Sequence, residues 1–230
     1  VRRFRLEARI TGRLQHPNIV PVHELATGED GVPYLCLQLV GGQTLETYVR
    51  SRGRAGWRGT PHPLGRLLAV YLKVLDAVGF AHSRGVVHRD LKPSNVMVGE
   101  FGEVLVMDWG IAKASGLPDP VADGLRVDPT SAEGPGELLS IEGVAIGTPA
   151  YMSPEQAQGR ISAIDHRSDL YSLGGILFQV LTGSPPYSKA GWAIISLLGA
   201  PDLEPPSPRR VFRDVPRELE AVVRKAMATR

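Results

Sequence analysis

Asp90 and Asn95 stand five residues apart in the stretch Val86–Val98, VVHRDLKPSNVMV, and a second apolar run then leads to Asp108 in MDWG. Together they supply two oxygen ligands and one further carboxylate. Mg²⁺ prefers oxygen donors, takes one or two of them from protein and leaves the rest to water and phosphate; Asn95 and Asp108 suit that part. Asp90 then remains to accept or orient the proton of an attacking hydroxyl. Lys92, two residues on, can neutralise a phosphoryl group as charge moves in the transition state, and Pro93 stiffens the loop. Phosphoryl transfer asks a protein mostly for positioning and electrostatics, so this residue set is sufficient in kind. His88, beside them, reads as a structural side chain packed under the loop.

These groups need elements to hold them. Phe4, Leu6, Ile10 and Leu14 have helix-like spacing in Arg3–Leu14, and His16-Pro17-Asn18 ends that helix. Ile19–Leu25 and Pro33–Val40 read as two strands about the turn Gly28–Gly31, and Gly41-Gly42 breaks the second. A short helix follows at Leu45–Arg50, then an Arg-, Gly- and Pro-rich loop at Ser51–His62. Leu64–His82 is an amphipathic helix, with Leu67, Tyr71, Val74, Leu75 and Val78 on one face. Ala114–Leu138 is rich in Gly, Pro, Asp and Ser and is expected to be mobile. Asp169–Thr182 is apolar on nearly every face, which predicts a helix buried at the centre of a domain and stopped by Gly183. Pro201–Pro208 reads as a loop, and Pro216–Met227 as a last helix. The organisation is thus α+β, with a small part at residues 1–40 and a helical body at 41–230.

Composition excludes several classes. Hydrophobic residues make up 43% and charged residues 22% of the 230, so a sizeable core can form. A formal net charge of +2, with no basic stripe interleaved with aromatics, gives no reason to expect nucleic-acid binding. No apolar run reaches the ~18 residues that would span a bilayer. Cys36 is the only cysteine, which suits a reducing, cytoplasmic setting, and its apolar neighbours predict a small buried hydrophobe. His82 and His166 read as ordinary structural histidines.

The motifs His88-Arg89-Asp90-Leu91-Lys92-Pro93-Ser94-Asn95, Asp108-Trp109-Gly110 and GTPAYMSPEQ (Gly147–Gln156) resemble, in type and order, those of eukaryotic-type (Hanks-type) protein kinases. The last wording is most similar to the bacterial serine/threonine kinases. The resemblance implies a two-lobed α+β fold with a truncated small β lobe and a mainly helical large lobe. It also implies ATP and Mg²⁺ (or Mn²⁺) as cofactors, and Ser/Thr-bearing proteins as substrates. Asp90 would be the catalytic base, Lys92 the phosphate contact, and Asn95 and Asp108 the metal ligands. Lys92 with Thr148 would mark Ser/Thr acceptors. Glu7 would pair with an ATP-binding lysine, Leu37 would be the gatekeeper, the Gln38 and Val40 backbone would face adenine, and Met97 would lie beneath it. Asp169 would hold the catalytic-loop backbone from the buried helix. Arg89 would receive a phosphate carried by the activation segment, with Ser140 the first candidate for autophosphorylation, Thr130 and Ser131 behind it, and Glu142 a partial mimic. Self-association of kinase domains, and a membrane anchor beyond Arg230, are known among such proteins.

Two departures shape the expectation. Trp109 stands where the family has Phe, and must pack beneath the helix that bears Glu7. Residues 1–230 contain no glycine-rich loop, no strand bearing an ATP-binding lysine and no arginine at the spacing that pairs with Glu155, so this stretch alone is expected to transfer phosphate weakly or not at all. A non-catalytic kinase-like scaffold is the alternative, and a small-molecule phosphotransferase a more distant one. The set Asp90, Lys92, Asn95 and Asp108 argues for the enzyme, since a scaffold has no chemical use for all four.

Overall fold

The computed structural model describes residues 8–29, 31–52, 63–109, 112–114, 149–188, 193–200 and 203–228. Glu7, Gly110, Thr130, Ser131, Ser140, Glu142 and Thr148 lie outside them.

A helical turn at residues 8–11 seats Ile10 in the core. Strands β1 (Val22–Thr27) and β2 (Pro33–Leu37) then form an antiparallel hairpin. β3 (Gln43–Thr44) leads into helix α1 (Leu45–Arg52), and helix α2 (Pro63–Ser83) crosses beneath. β4 (Val86–Val87), β5 (Val96–Val98), β6 (Val104–Val106) and β7 (Lys113–Ala114) are short. The body is completed by α3 (Pro154–Ala157), α4 (His166–Thr182), α5 (Ile194–Leu198), α6 (Pro208–Val211) and α7 (Arg217–Ala226). β3, β5 and β6 make one antiparallel sheet with β5 in the middle, while β4 and β7 pair separately.

The body is organised on α4. Ile176, Leu177, Val180 and Leu181 are all at most 1% exposed, as a helix apolar on every face requires. Asp165 caps its start, accepting the Arg167 N–H at 2.8 Å. Its end is Gly183, whose φ of +75° is the left-handed conformation that a glycine adopts without strain. α2 packs across α4 with Leu67, Val74 and Val78 buried, and the Tyr71 hydroxyl donates to the Leu173 carbonyl at 3.1 Å.

The hairpin differs from its expected span. Ile19 and Val20 leave it and run beside β6. Ile19 bridges Val106 in parallel, and the Val20 N–H donates to the Val106 carbonyl at 3.1 Å. Burial explains the shift, because Ile19 and Val20 are 1% and 2% exposed whereas Leu25 in β1 is 40% exposed. Cys36 also departs from expectation: it is half-buried, since β2 lies on the outside of the molecule. Gly42 stands where the chain turns into β3 at φ +109°, and a Cβ there would lie 2.2 Å from the Val98 carbonyl oxygen. Only glycine fits that approach. Among the described residues no helix is long and apolar enough to cross a membrane.

Candidate active site

β4, paired with β7, delivers the chain into the loop His88–Asn95. The start of that loop is held from α4. Asp169 is fully buried, and its Oδ2 and Oδ1 accept the N–H groups of His88 (2.8 Å) and Arg89 (2.9 Å). Oδ2 also takes a hydrogen bond from His82 Nε2 at 2.7 Å. A carboxylate without solvent is tolerated only with such partners. Arg89 sits at φ +72°, a left-handed conformation uncommon outside glycine and concentrated at functional sites. His88 is structural, as expected. Its Nδ1 accepts the Asp90 N–H at 3.3 Å, so the proton on Nε2 is the one that reaches the Met107 carbonyl at 3.0 Å. Its ring lies 4.5 Å from that of Trp109, which is buried.

The reactive groups converge above this base. Asp90 Oδ2 lies 2.9 Å from Lys92 Nζ and 3.3 Å from Asn95 Nδ2. Both side chains of the ion pair are largely shielded, Lys92 at 10% and Asp90 at 14% exposure. Burial pushes the Asp90 carboxyl above the usual carboxylate range, and the Lys92 ammonium and its hydrogen bond partly oppose that. The Asp108 carboxylate is close enough to add to the upward push. It is brought there by β6, whose following residue, Met107, donates its N–H to the Asn95 carbonyl at 2.9 Å. Asp108 also adopts a left-handed turn, at φ +59°. Lys92, Asn95 and Asp108 thus all lie near the Asp90 carboxylate.

The donor set fits a hard divalent cation. Asn95 Nδ2 also binds the Asp90 carbonyl at 2.9 Å, so the amide has its nitrogen committed and its Oδ1 to offer. With the Asp108 carboxylate that makes two oxygen donors. Among the described residues no cluster of three or more His, Cys, Asp or Glu side chains forms an all-protein cage. Two protein oxygens completed by water and phosphate is the Mg²⁺ pattern.

Of the expected nucleotide contacts, Met97 and Leu37 lie on strands and Gln38 and Val40 in the link between β2 and β3. Met97 occupies the middle strand between Thr44 and Leu105, and is half-buried where Val96 and Val98 are buried, so it faces the other side of the sheet. Leu37 ends β2 opposite Val22 and is 37% exposed. The Gln38 N–H is turned to the Pro21 carbonyl at 3.1 Å, leaving its own carbonyl as the group it can present. Val40 is half-buried in the link to β3. Glu7 and Thr148 are not among the described residues.

Two residues that sequence reasoning passed over belong to this architecture. His82, read as an ordinary structural histidine, is a partner of Asp169. Gln156 donates from Nε2 to the Arg89 carbonyl at 2.5 Å. These contacts join residues 87 and 67 positions apart, and no local pattern signals either.

The profile of the protein kinase domain matches residues 2–197. The serine/threonine-protein kinase PknD of Chlamydia pneumoniae is 35% identical over 233 residues, covering 99% of this chain and 24% of that protein. Pkn3 of Myxococcus xanthus is 37% identical, with 99% and 38% covered. PknB of Mycobacterium leprae is 36% identical, with 98% and 32% covered. The chain thus spans between about a quarter and two-fifths of the length of these relatives. With the motifs in order along the chain and Asp90, Lys92 and Asn95 gathered on one loop, the chain belongs to the protein kinase domain family, its likeness within it being to the bacterial serine/threonine kinases.

Proposed function

We propose that this chain is the catalytic domain of a serine/threonine protein kinase that moves the γ-phosphoryl group of ATP to Ser and Thr hydroxyls of proteins. The observation that carries this reading is the Asp90 carboxylate, held by Lys92 and Asn95 on a loop whose backbone is fixed by buried Asp169. Protein kinases in general use ATP with a divalent metal ion. Here Asn95 Oδ1 and the Asp108 carboxylate would hold Mg²⁺ or Mn²⁺, whose charge would offset that of the phosphates. Asp90 takes the proton of the acceptor hydroxyl as its oxygen bonds to phosphorus and the bond from phosphorus to the ADP oxygen breaks. Lys92, 2.9 Å from Asp90, is the cation beside the transferred group. Lys92 with Thr148 selects Ser/Thr acceptors. Glu7, Leu37, Gln38, Val40 and Met97 belong to the ATP site. Residues 1–40 form part of a small lobe and 41–230 the large one. The domain works in the cytoplasm on protein substrates, and on a second copy of itself at Ser140.

The test is transfer from radiolabelled ATP by the full-length protein to a generic protein acceptor, followed by phosphoamino-acid analysis. Phosphoserine and phosphothreonine form without phosphotyrosine, and chelation of the metal ion stops the reaction. Asp90→Asn lowers the rate by about 10³-fold, the middle of what a positioned base contributes. Label no greater than that of the Asp90→Asn protein would overturn the reading.

A further inference from the structure

Helix α3 opens with a capping box. Gln156, its third residue, turns its side chain back so that Oε1 accepts the Ser153 N–H and the Ser153 hydroxyl, each at 3.1 Å. Glu and Gln serve a capping box equally, because only an acceptor is needed there. The other atom of the amide distinguishes them. The Ser153 N–H can only donate, so the atom facing it is the oxygen, and Nε2 is the atom 2.5 Å from the Arg89 carbonyl. Gln156 is 1% exposed, so water does not substitute for that contact. A glutamate would set a carboxylate oxygen against a carbonyl oxygen.

The carbonyl of Arg89 and the N–H of Asp90 belong to one rigid peptide plane. Gln156 holds its oxygen end, and His88 Nδ1 accepts from its N–H end at 3.3 Å. One residue back, the Arg89 N–H is held by Asp169. Arg89 at φ +72° is thus fixed on both sides, from α4 and from α3. We infer that Gln156 is a positioning residue, which orients the Arg89–Asp90 peptide plane, and with it the Asp90 carboxylate, from the helix that closes GTPAYMSPEQ. A displacement of α3 reaches Asp90 through this hydrogen bond. The kinetic side of the inference rests on the kinase reading, whereas the geometric side does not.

The experiment compares full-length wild type with Gln156→Glu, which keeps the capping-box acceptor and the volume but turns a carboxylate oxygen toward the Arg89 carbonyl. Its Tm falls by several °C, as a buried, unpaired oxygen requires. Its kcat falls about tenfold or more while KM for ATP changes less than about twofold, the signature of a misaligned reacting group with binding intact. Hydrogen exchange at the Asp90 amide rises with it. Should the glutamate variant fail to fold, Gln156→Met, uncharged and of similar length, gives the same reading. An unchanged kcat with unchanged exchange at Asp90 overturns the inference. So does a loss of kcat matched by an equal rise in KM for ATP together with a large drop in Tm. If wild type transfers no phosphate, the kinase reading fails, and exchange at Asp90 still decides the role of Gln156.

Discussion

Asp169 keeps a negative charge away from water and uses it to grip two N–H groups 80 and 81 residues earlier in the chain. Removing its side chain leaves both donors buried without an acceptor, at about 1–3 kcal/mol each. Replacing His82 removes one donor to a charged acceptor while the two backbone bonds survive, at about 1.5–3 kcal/mol. Asp169→Ala is therefore more destabilising than His82→Phe, and His82→Asn falls nearer to wild type, in urea unfolding at neutral pH. A His82→Phe protein as unstable as Asp169→Ala would show that the His82 hydrogen bond matters as much as the two backbone bonds together. At this scale the local chemistry was legible and the remote chemistry was not. Asp90, Lys92 and Asn95 fall within six residues, so spacing alone suggested their roles. The place of Asp169 came with the family resemblance. His82 and Gln156 escaped because their partners are named by the fold, not by neighbours in sequence.

Helix α4 was legible because its pattern is strong, and its caps act through known local chemistry. Asp165→Ala removes the N-cap acceptor and costs about 1 kcal/mol by thermal unfolding, while Asp165→Asn, which caps as well, costs less. The hydrogen bond from Arg167 holds the Asp165 carboxyl below its ordinary range. Its contribution is then complete above the ordinary carboxylate pKa and is lost as pH falls through the lowered one, so the gap between wild type and Asp165→Ala closes on acidification. Gly174, mid-helix, makes the opposite point about propensity. Alanine is the better helix former by about 0.5–1 kcal/mol, yet a Cβ here would lie 2.7 Å from Met227 Cγ and 2.9 Å from Ala226 Cβ. Overpacking against α7 wins, and Gly174→Ala destabilises by about 1–3 kcal/mol in the same measurement. The ends of β1 and β2 were less legible, since Ile19 and Val20 have strand character that the sequence cannot assign to one neighbour over another. Tertiary burial decided that they run beside β6.

Across the whole molecule, stability is unevenly spread. β1 and β2 contain no buried residue, and Leu25, Val32, Tyr34 and Leu37 are among the exposed apolar side chains near them. α4 is buried along nearly its whole length. Native-state hydrogen exchange of this chain follows that gradient: hairpin amides exchange by local opening, whereas those of α4 exchange only on global unfolding. Equal protection in the two would refute it. The same long-range wiring bears on synthesis. A ribosome that has released the chain as far as Asp108 has delivered Asp90, Lys92, Asn95 and Asp108, but not the aspartate at 169 that shapes the loop carrying three of them. The nascent polypeptide holds the reagents without their jig. Order along the gene thus acts as a timer, keeping the loop unshaped until translation has passed α4 and that helix has folded.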